Sequence, residues 1–371
     1  MPESGSRSTT QRRKGEHVDI VVNREVGASV NYWDDVFLVH SSLPEVDFDE
    51  IRTETTLLGR KISAPILISG MTGGYDKARK INENLAFAAS ELQIPMGVGS
   101  QRAALEDRGM VKTYSVVAEY DIPLRIANIG APQLIQQRGK RAYGVEEARQ
   151  AMEMINADII AIHLNYLQEV VQPEGDRRAK GVLSAIADIC RQLPVLAKET
   201  GAGISRTTAL KLKKAGVKAI DVGGSGGTSW SAVEHYRAVQ HNDSVGARLG
   251  NLYWNWGIPT PVSLILSSVG LPLVATGGIR HGLDMARALI LGASAAGIAG
   301  AVIRQAVKGK KEVLSEIQAM LQELKAAMFL SSCADIASLS TAEYMLSGRT
   351  RKWVEAFEPQ RRQRFQANQF N

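Results

Sequence analysis

Cysteine is almost absent from this chain of 371 residues: only Cys190 and Cys333 occur, and no CxxC pair. Their scarcity excludes a disulfide framework and a cysteine-built zinc site, and it fits a reducing cytoplasm. No His/Asp/Cys set stands at zinc spacing, so a zinc hydrolase is not expected. The opening Met1-Pro-Glu-Ser-Gly-Ser6 is polar and lacks the apolar core of a signal peptide. Long apolar runs are missing too. Uncharged Ala288–Ile303, rich in Gly and Ala, falls short of the ~18 residues a membrane span needs. It reads as a helix end, a turn and a buried strand. There is no internal repeat and no low-complexity block. No G-x-G-x-x-G follows an early strand, which counts against the runner-up architecture, a doubly wound sheet.

Charge is placed at the ends. The formal net charge is +6, with Arg7, Arg12, Arg13 and Lys14 facing only Glu3, and six basic residues in 349–371 facing Glu355 and Glu358. The body between is near neutral, so no basic folded face and no nucleic-acid partner is expected. The tails read as solvated, with 359–371 frayed or partner-dependent.

What is present is a series of short buried runs: Ala64–Gly70, Pro95–Gly99, Leu124–Ile129, Asp158–Leu164, Pro194–Lys198, Ala219–Gly223, Leu271–Thr276 and Ala293–Ala299. Most lack period-two alternation, as parallel strands covered on both faces do. Helical patterns separate them, among them Lys77–Glu91, Gly144–Ile155, Gly181–Gln192, Ser205–Lys214 and Leu283–Leu291. Eight such units predict an α/β fold, a (β/α)8 TIM barrel. The barrel is expected over 63–330, with an N-terminal extension over 1–62 closing over its mouth. A helical segment and basic tail are expected over 331–371, and a long insertion follows strand six, from about Gly224 to Leu271. Helix Glu312–Met328 shows an apolar face suited to packing on the barrel or a partner subunit.

In such barrels function gathers where strands end, and here those ends are polar or glycine-rich. They carry Met71-Thr72-Gly73-Gly74, Gly99-Ser100-Gln101-Arg102, Asn128-Ile-Gly130, His163-Leu-Asn165-Tyr-Leu-Gln168-Glu169 and Lys198-Glu199-Thr200-Gly201. Strands six to eight give Gly223-Gly-Ser225-Gly-Gly-Thr228, Thr276-Gly277-Gly278-Ile279-Arg280 and Gly297-Ile-Ala299-Gly300. Three glycine turns side by side point to a bound phosphate, since glycine lets backbone N–H groups approach an anion. Lys198, at the end of a buried run, needs a charge partner. It suits either a Schiff base or an anionic cofactor. Met71, Thr72 and Asn128 suit the wall beside a flat ring. Glu169 suits Mg²⁺, held by one carboxylate and water, or a helix dipole. His163 suits the site or the barrel interior. Arg13-Lys14-Gly-Glu-His17 suits a disordered tail, or a clamp on a diphosphate at the mouth.

Taken together, RKGEH, MTGG, GSQR, HLNYLQE, KETG and TGGIR, in that order from about Arg13 to Arg351, resemble the type 2 isopentenyl-diphosphate isomerases, FMN-dependent barrel enzymes. TGGIR alone is shared with other flavin barrels; HLNYLQE with GSQR and an N-terminal RK pair is specific. The resemblance implies FMN held by Met71, Thr72, Gly73, Ser100, Asn128, Lys198, Thr228, Gly277, Gly278, Ile279, Arg280, Ala299 and Gly300. It implies substrate contacts from Arg13, Lys14, Ser100, Gln101, Arg102, His163, Asn165 and Gln168, with Mg²⁺ on Glu169. It further implies conversion of isopentenyl to dimethylallyl diphosphate with reduced FMN as acid and base, supported by His163, Gln168 and Lys198. NADPH would serve as reductant, in a cytoplasmic homotetramer or homo-octamer. Trp230 would flank the alkene or pack the sixth loop. One departure is Gly223, where relatives often carry serine, so a flavin-phosphate contact is expected to be missing there, with Ser225 and Thr228 nearby. A 2-hydroxyacid oxidase would need a histidine base and an arginine clamp near strand seven, where only Arg280 and His281 stand. An IMP-dehydrogenase-like barrel would need a loop cysteine, which Cys190 and Cys333 do not supply.

Overall fold

Eight short parallel strands close on themselves: Ile66–Ile68, Met96–Gly97, Arg125–Gly130, Ile159–Leu164, Val195–Glu199, Ala219–Asp221, Leu273–Thr276 and Ala295–Ile298, the last pairing with the first. This computed structural model describes residues 9–367. Glu3 and Arg7 of the basic N-terminal stretch, and residues 368–371 of the tail, lie outside the described residues. Six of the strands fall inside one of the eight apolar runs, and the other two, Arg125–Gly130 and Val195–Glu199, run one residue past theirs.

Strand alternation divides the core in two. One set of side chains, including Ile66, Ile68, Ile129, Ile160, Ile162, Ala197, Ile220 and Ile298, packs outward against the helices. The other set, Leu67, Ile126, Ala161, Leu196, Ala219, Val274 and Ala295, fills the lumen. Leu57 and Ile62 join this second set. They come from an antiparallel hairpin, Thr55–Leu57 with Arg60–Ile62, which plugs the lumen. The barrel is thus a packed core and not a pore.

Helices Ala78–Glu91, Val145–Met154, Val182–Cys190, Arg206–Ala215 and Gly282–Ile290 occupy the predicted places. Helix Lys310–Leu330 buries Val313, Ile317, Met320, Leu324 and Met328 and packs on the barrel helices Ala78–Glu91 and Gly282–Ile290. The sixth-strand insertion folds into three helices, Trp230–Gln240, Ser244–Leu252 and Thr260–Leu266. No described helix is long and apolar enough to cross a membrane.

The N-terminal stretch is more ordered than its polarity suggests. Thr9–Asn23 is a helix lying on Trp230–Gln240. Further on, strand Val36–Leu38 pairs antiparallel with Tyr344–Leu346 near the other end of the chain. Asp35 strengthens that clasp by accepting the backbone N–H of Thr350 at 2.8 Å. The last helix, Gly348–Ala367, begins there.

Candidate active site

The alternation that fills the lumen also builds the site. Two positions beyond each apolar lumen residue, on the same face, stand Ser69, Asn128, His163, Lys198, Asp221 and Thr276, with Gly99 and Gly297 on strands two and eight. These groups are wired together. Lys198 donates to Asp221 at 2.6 Å, Thr276 donates to the same carboxylate oxygen at 2.9 Å, and Ser69 meets Thr276 at 3.0 Å. An ammonium fixed against a buried carboxylate is a standing positive charge. That suits an anionic ring above it and does not suit a free amine nucleophile.

Above this layer lies a cavity of about 610 Å³, within the usual range for a cofactor site. Met71, Thr72, Gly73, Ser100, Asn128, Lys198, Thr228, Gly277, Gly278, Ile279, Ala299 and Gly300 line it. So do Arg13, Lys14, Arg102, His163, Asn165, Gln168 and Glu169. Trp230 is in the wall, edge-on to His17 with ring centroids 5.2 Å apart.

On one side the glycine turns form a cradle. Gly277 and Gly278 have φ of +116° and +74°, and a Cβ on Gly278 would stand 2.9 Å from the Gly226 carbonyl. The carbonyl of Gly277 accepts from Trp33 Nε1 at 2.9 Å and that of Gly278 from Asn31 at 2.7 Å. In a trans peptide the next N–H points the opposite way. The N-terminal extension therefore turns the N–H groups of Gly278 and Ile279 away from itself. Beside them, helix Gly300–Lys308 starts with no side-chain cap on its first N–H groups. Unclaimed N–H groups at a helix start, with Thr228 adjacent, fit a phosphate, and the cradle fits FMN.

The opposite side is ionic. Burial, with Arg13 and Arg102 nearby, pulls the Lys14 ammonium down to about 7; it donates to Tyr114 at 2.8 Å and to the Ser100 carbonyl. With the Gln172 amide turned to satisfy both ends, its oxygen accepts from Arg13 at 2.7 Å. Asn128 donates to the Val98 carbonyl at 2.9 Å, so its oxygen accepts from His163 Nδ1 at 2.8 Å. This leaves Nε2 of His163 as a bare acceptor. Burial first, then Lys14 and Lys198, pull His163 down to about 3, so it is neutral. Glu169 accepts from Asn165 at 3.0 Å and from the backbone N–H of Asp176 at 2.6 Å. It is buried, burial raises its pKa, and no lysine or arginine forms an ion pair with it among the described residues. Those residues also hold no cluster of three or more His, Cys, Asp or Glu able to bind a metal. A cation here would rest on one protein carboxylate, with water and substrate oxygens completing its shell. That is the usual situation of Mg²⁺.

Two expectations need correction. Gln101 is fully buried outside the cavity, its amide donating to Ala151 O and accepting from Asn128 N, both at 2.8 Å. It braces Asn128 and does not face a substrate. Helix Arg102–Glu106 begins immediately after it, and the chain turns so that Arg102 and not Gln101 meets the cavity. Arg280 contributes to the wall, but its backbone N–H, Nε and Nη groups all go to Asp34 and Asp284, at 2.6–3.2 Å. It fastens the N-terminal extension to helix Gly282–Ile290, which leaves only one Nη1 hydrogen of the guanidinium uncommitted.

Three buried acids went unread in the sequence. Asp221 holds Lys198. Glu199 accepts the four backbone N–H groups of Thr200 to Gly203 and shapes that turn, while burial pushes its carboxyl up to about 7. Glu234 receives Gln168 at 3.1 Å. Burial opposes its charge, but His17 at 2.8 Å and Arg237 at 2.6 Å outweigh that and hold it down at about 2. Counting two positions along strand six from Ala219 would have found Asp221; no sequence signal marks Glu234.

The family model of the FMN-dependent dehydrogenases matches residues 183–346. Isopentenyl-diphosphate delta-isomerase of Methanosarcina mazei is 49% identical over 356 residues, covering 94% of this chain and 95% of the relative. That of Picrophilus torridus is 44% identical, covering 94% and 99%. The chain belongs to the type 2 isopentenyl-diphosphate delta-isomerases. It is therefore an isomerase on an FMN-binding barrel. Mandelate oxidase, in a structure with (S)-2-phenylpropionate, shares the fold at 18% identity, with a TM-score of 0.60 over 91% of this chain and 97% of the oxidase. The oxidase chemistry weighed against isomerisation lacks its parts here: Arg280 is tied to Asp34 and Asp284, and His281 caps helix Gly282–Ile290 outside the cavity wall.

Gly223 also gains an explanation in this isomerase. Its φ is +43°, and a Cβ would lie 1.9 Å from the Glu199 carbonyl. Glycine is what this turn requires, and of its two neighbours only Thr228 lines the cavity. Gly223→Ser is expected to lower stability by about 1–3 kcal/mol through backbone strain. Thermal denaturation with and without FMN would show it as a lower Tm in both states.

Proposed function

We propose that the chain converts isopentenyl diphosphate to dimethylallyl diphosphate, with FMN kept reduced by NADPH or another donor, and Mg²⁺ on the diphosphate. The single observation supporting this is one cavity with two unlike walls: a glycine cradle above Lys198, and across from it a basic and carboxylate set around Glu169. When bound, reduced FMN supplies an acid/base group and an electron-rich face for a reaction that moves a double bond without net oxidation.

The residues have separable tasks in this reading. Gly277 to Ile279, Thr228, Ala299 and Gly300 would hold the FMN phosphate, Met71 to Gly73 and Asn128 its ring, and Lys198 would favour negative charge on that ring. Arg13, Lys14, Ser100, Arg102, Asn165 and Gln168 would hold the substrate, and Glu169 the metal, fixing the alkene over the flavin. Diphosphate charge beside His163 would favour its imidazolium form. Helix Thr9–Asn23, in the 1–62 extension, and Trp230 would keep water from the reacting carbons. Gln168, whose amide donates to the ionised Glu234, would be held in place for the substrate.

Lys14 makes the reading pH-sensitive. Its charge is present below about 7 and lost above, so KM for isopentenyl diphosphate should rise as pH increases from 6 to 9. Lys14→Arg, always charged, should flatten the profile. A profile unchanged by that substitution would remove Lys14 from the clamp. The stability effect has the opposite sense: the folded protein binds fewer protons than the unfolded chain between about 7 and 10.5, so this group favours folding as pH rises through that window.

The direct test is incubation with FMN, a reductant, Mg²⁺ and isopentenyl diphosphate in deuterated water. Deuterium-labelled dimethylallyl diphosphate, formed without stoichiometric use of reductant, is the expected product. Absence of turnover together with oxidation of a hydroxy acid would sink the proposal.

A further inference from the structure

We propose that Asp176 is a positioning residue that holds Arg102 and Glu169 in register, so that diphosphate and metal are bound as one unit. The inference rests on the function proposed above and extends it to a residue outside the cavity wall.

Asp176 is 6% exposed and follows helix Tyr166–Val171. Its carboxylate accepts from Arg102 Nη1 at 2.8 Å, from Lys140 at 2.8 Å and from Gln133 at 3.2 Å. Its backbone N–H donates to Glu169 at 2.6 Å. One residue thus grips a basic and an acidic member of the cavity by its two ends. Arg102 also donates through Nε to Glu106 at 2.7 Å. With Nε and Nη1 both held, the guanidinium plane is fixed and its Nη2 edge remains for the cavity. Behind Arg102 lies a second hollow of about 210 Å³, bounded by Glu106, Tyr143, Lys140 and Asp176. If Asp176 let go, the guanidinium would be held only through its Nε bond to Glu106 and would have room to turn toward that carboxylate, into the hollow.

Two effects of removing the Asp176 charge have opposite signs. A negative charge repels a nearby anion, so its loss alone would tighten diphosphate binding. Loss of position would weaken it, because a donor free to turn toward Glu106 must be recovered for each binding event. The short, buried contact to Arg102 makes position the larger effect, since hydrogen bonds to charged groups are worth more than screened repulsion at longer range.

The experiment titrates inorganic diphosphate, with and without MgCl₂, into the FMN-loaded enzyme by calorimetry and compares Asp176→Asn with the unaltered protein. Binding should weaken about tenfold, the Mg²⁺ concentration for half-saturation should rise, and KM for isopentenyl diphosphate should rise in parallel while kcat changes by less than about twofold. Asp176→Glu, which keeps a carboxylate for Arg102, should recover most of the loss, and adding Glu106→Gln to Asp176→Asn should weaken binding further by removing the second hold on the guanidinium. Unchanged or tighter binding in Asp176→Asn, or no recovery in Asp176→Glu, overturns the positioning role. Failure of the unaltered enzyme to bind diphosphate with Mg²⁺ overturns instead the underlying reading of the site, and this inference with it.

Discussion

Glu169→Gln should reduce isomerisation at fixed Mg²⁺ by at least about a hundredfold, because metal charge on a diphosphate supplies several kcal/mol of fixation and charge stabilisation. The substitution is isosteric and can keep a bond to Asp176 N–H, so the local fold should survive. Among the described residues Glu169 forms no ion pair with a lysine or arginine, and its buried charge is opposed by desolvation, so neutralising it should not destabilise the apoprotein. Flavin binding should be retained, because the cradle at Gly277–Gly278 belongs to the opposite wall. Visible absorbance of bound FMN, measured beside turnover across a Mg²⁺ titration, separates the two. Loss of FMN with unaltered Mg²⁺ response would refute the role given to Glu169.

Lys198→Met should be costly in two ways. It leaves Asp221, fully buried and with one oxygen already lacking a partner, without its counter-charge. Breaking a buried pair from one side typically costs about 3–5 kcal/mol. In the proposed reading it also removes a positive charge beside the flavin ring, so the reduction potential of the bound flavin should fall and isomerisation with it. The paired change Lys198→Met with Asp221→Asn tells these apart: stability should largely return, while activity and potential should not. Restoration of activity along with stability would mean that Lys198 serves only the fold.

How much of this is readable from sequence depends on the range of the forces involved. The eight strands are legible because parallel strands covered on both faces must be apolar throughout, and no strand runs more than one residue past its apolar run. The cavity's composition is legible for the same reason, since polarity begins where the lumen packing ends. Orientation is less accessible. Gln101 and Arg102 are adjacent, and which one enters the cavity is decided by where a five-residue helix starts. Arg280 looks like an anion ligand until Asp34, 246 positions away, claims it. The first half of helix Thr9–Asn23 has little apolar patterning, because Glu16 and His17 pair with Arg237 and Glu234, more than two hundred positions off, while Ile20 and Val21 in its second half pack against apolar Ala232 and Val233. Long-range polar pairing leaves no periodicity to read.

The antiparallel clasp between Val36–Leu38 and Tyr344–Leu346 has a consequence for biogenesis. Asp35 and its partner Thr350 are 315 positions apart, and contacts of such separation form late because the intervening chain must first be ordered. Asn31 and Trp33, just before that strand, are the residues that orient the Gly277 and Gly278 carbonyls. During synthesis the barrel strands emerge before the segment that fastens the extension to them. A ribosome-stalled chain ending before Tyr344 should therefore hold a protease-resistant barrel while taking up FMN poorly, and competence for flavin should arrive with the final helix.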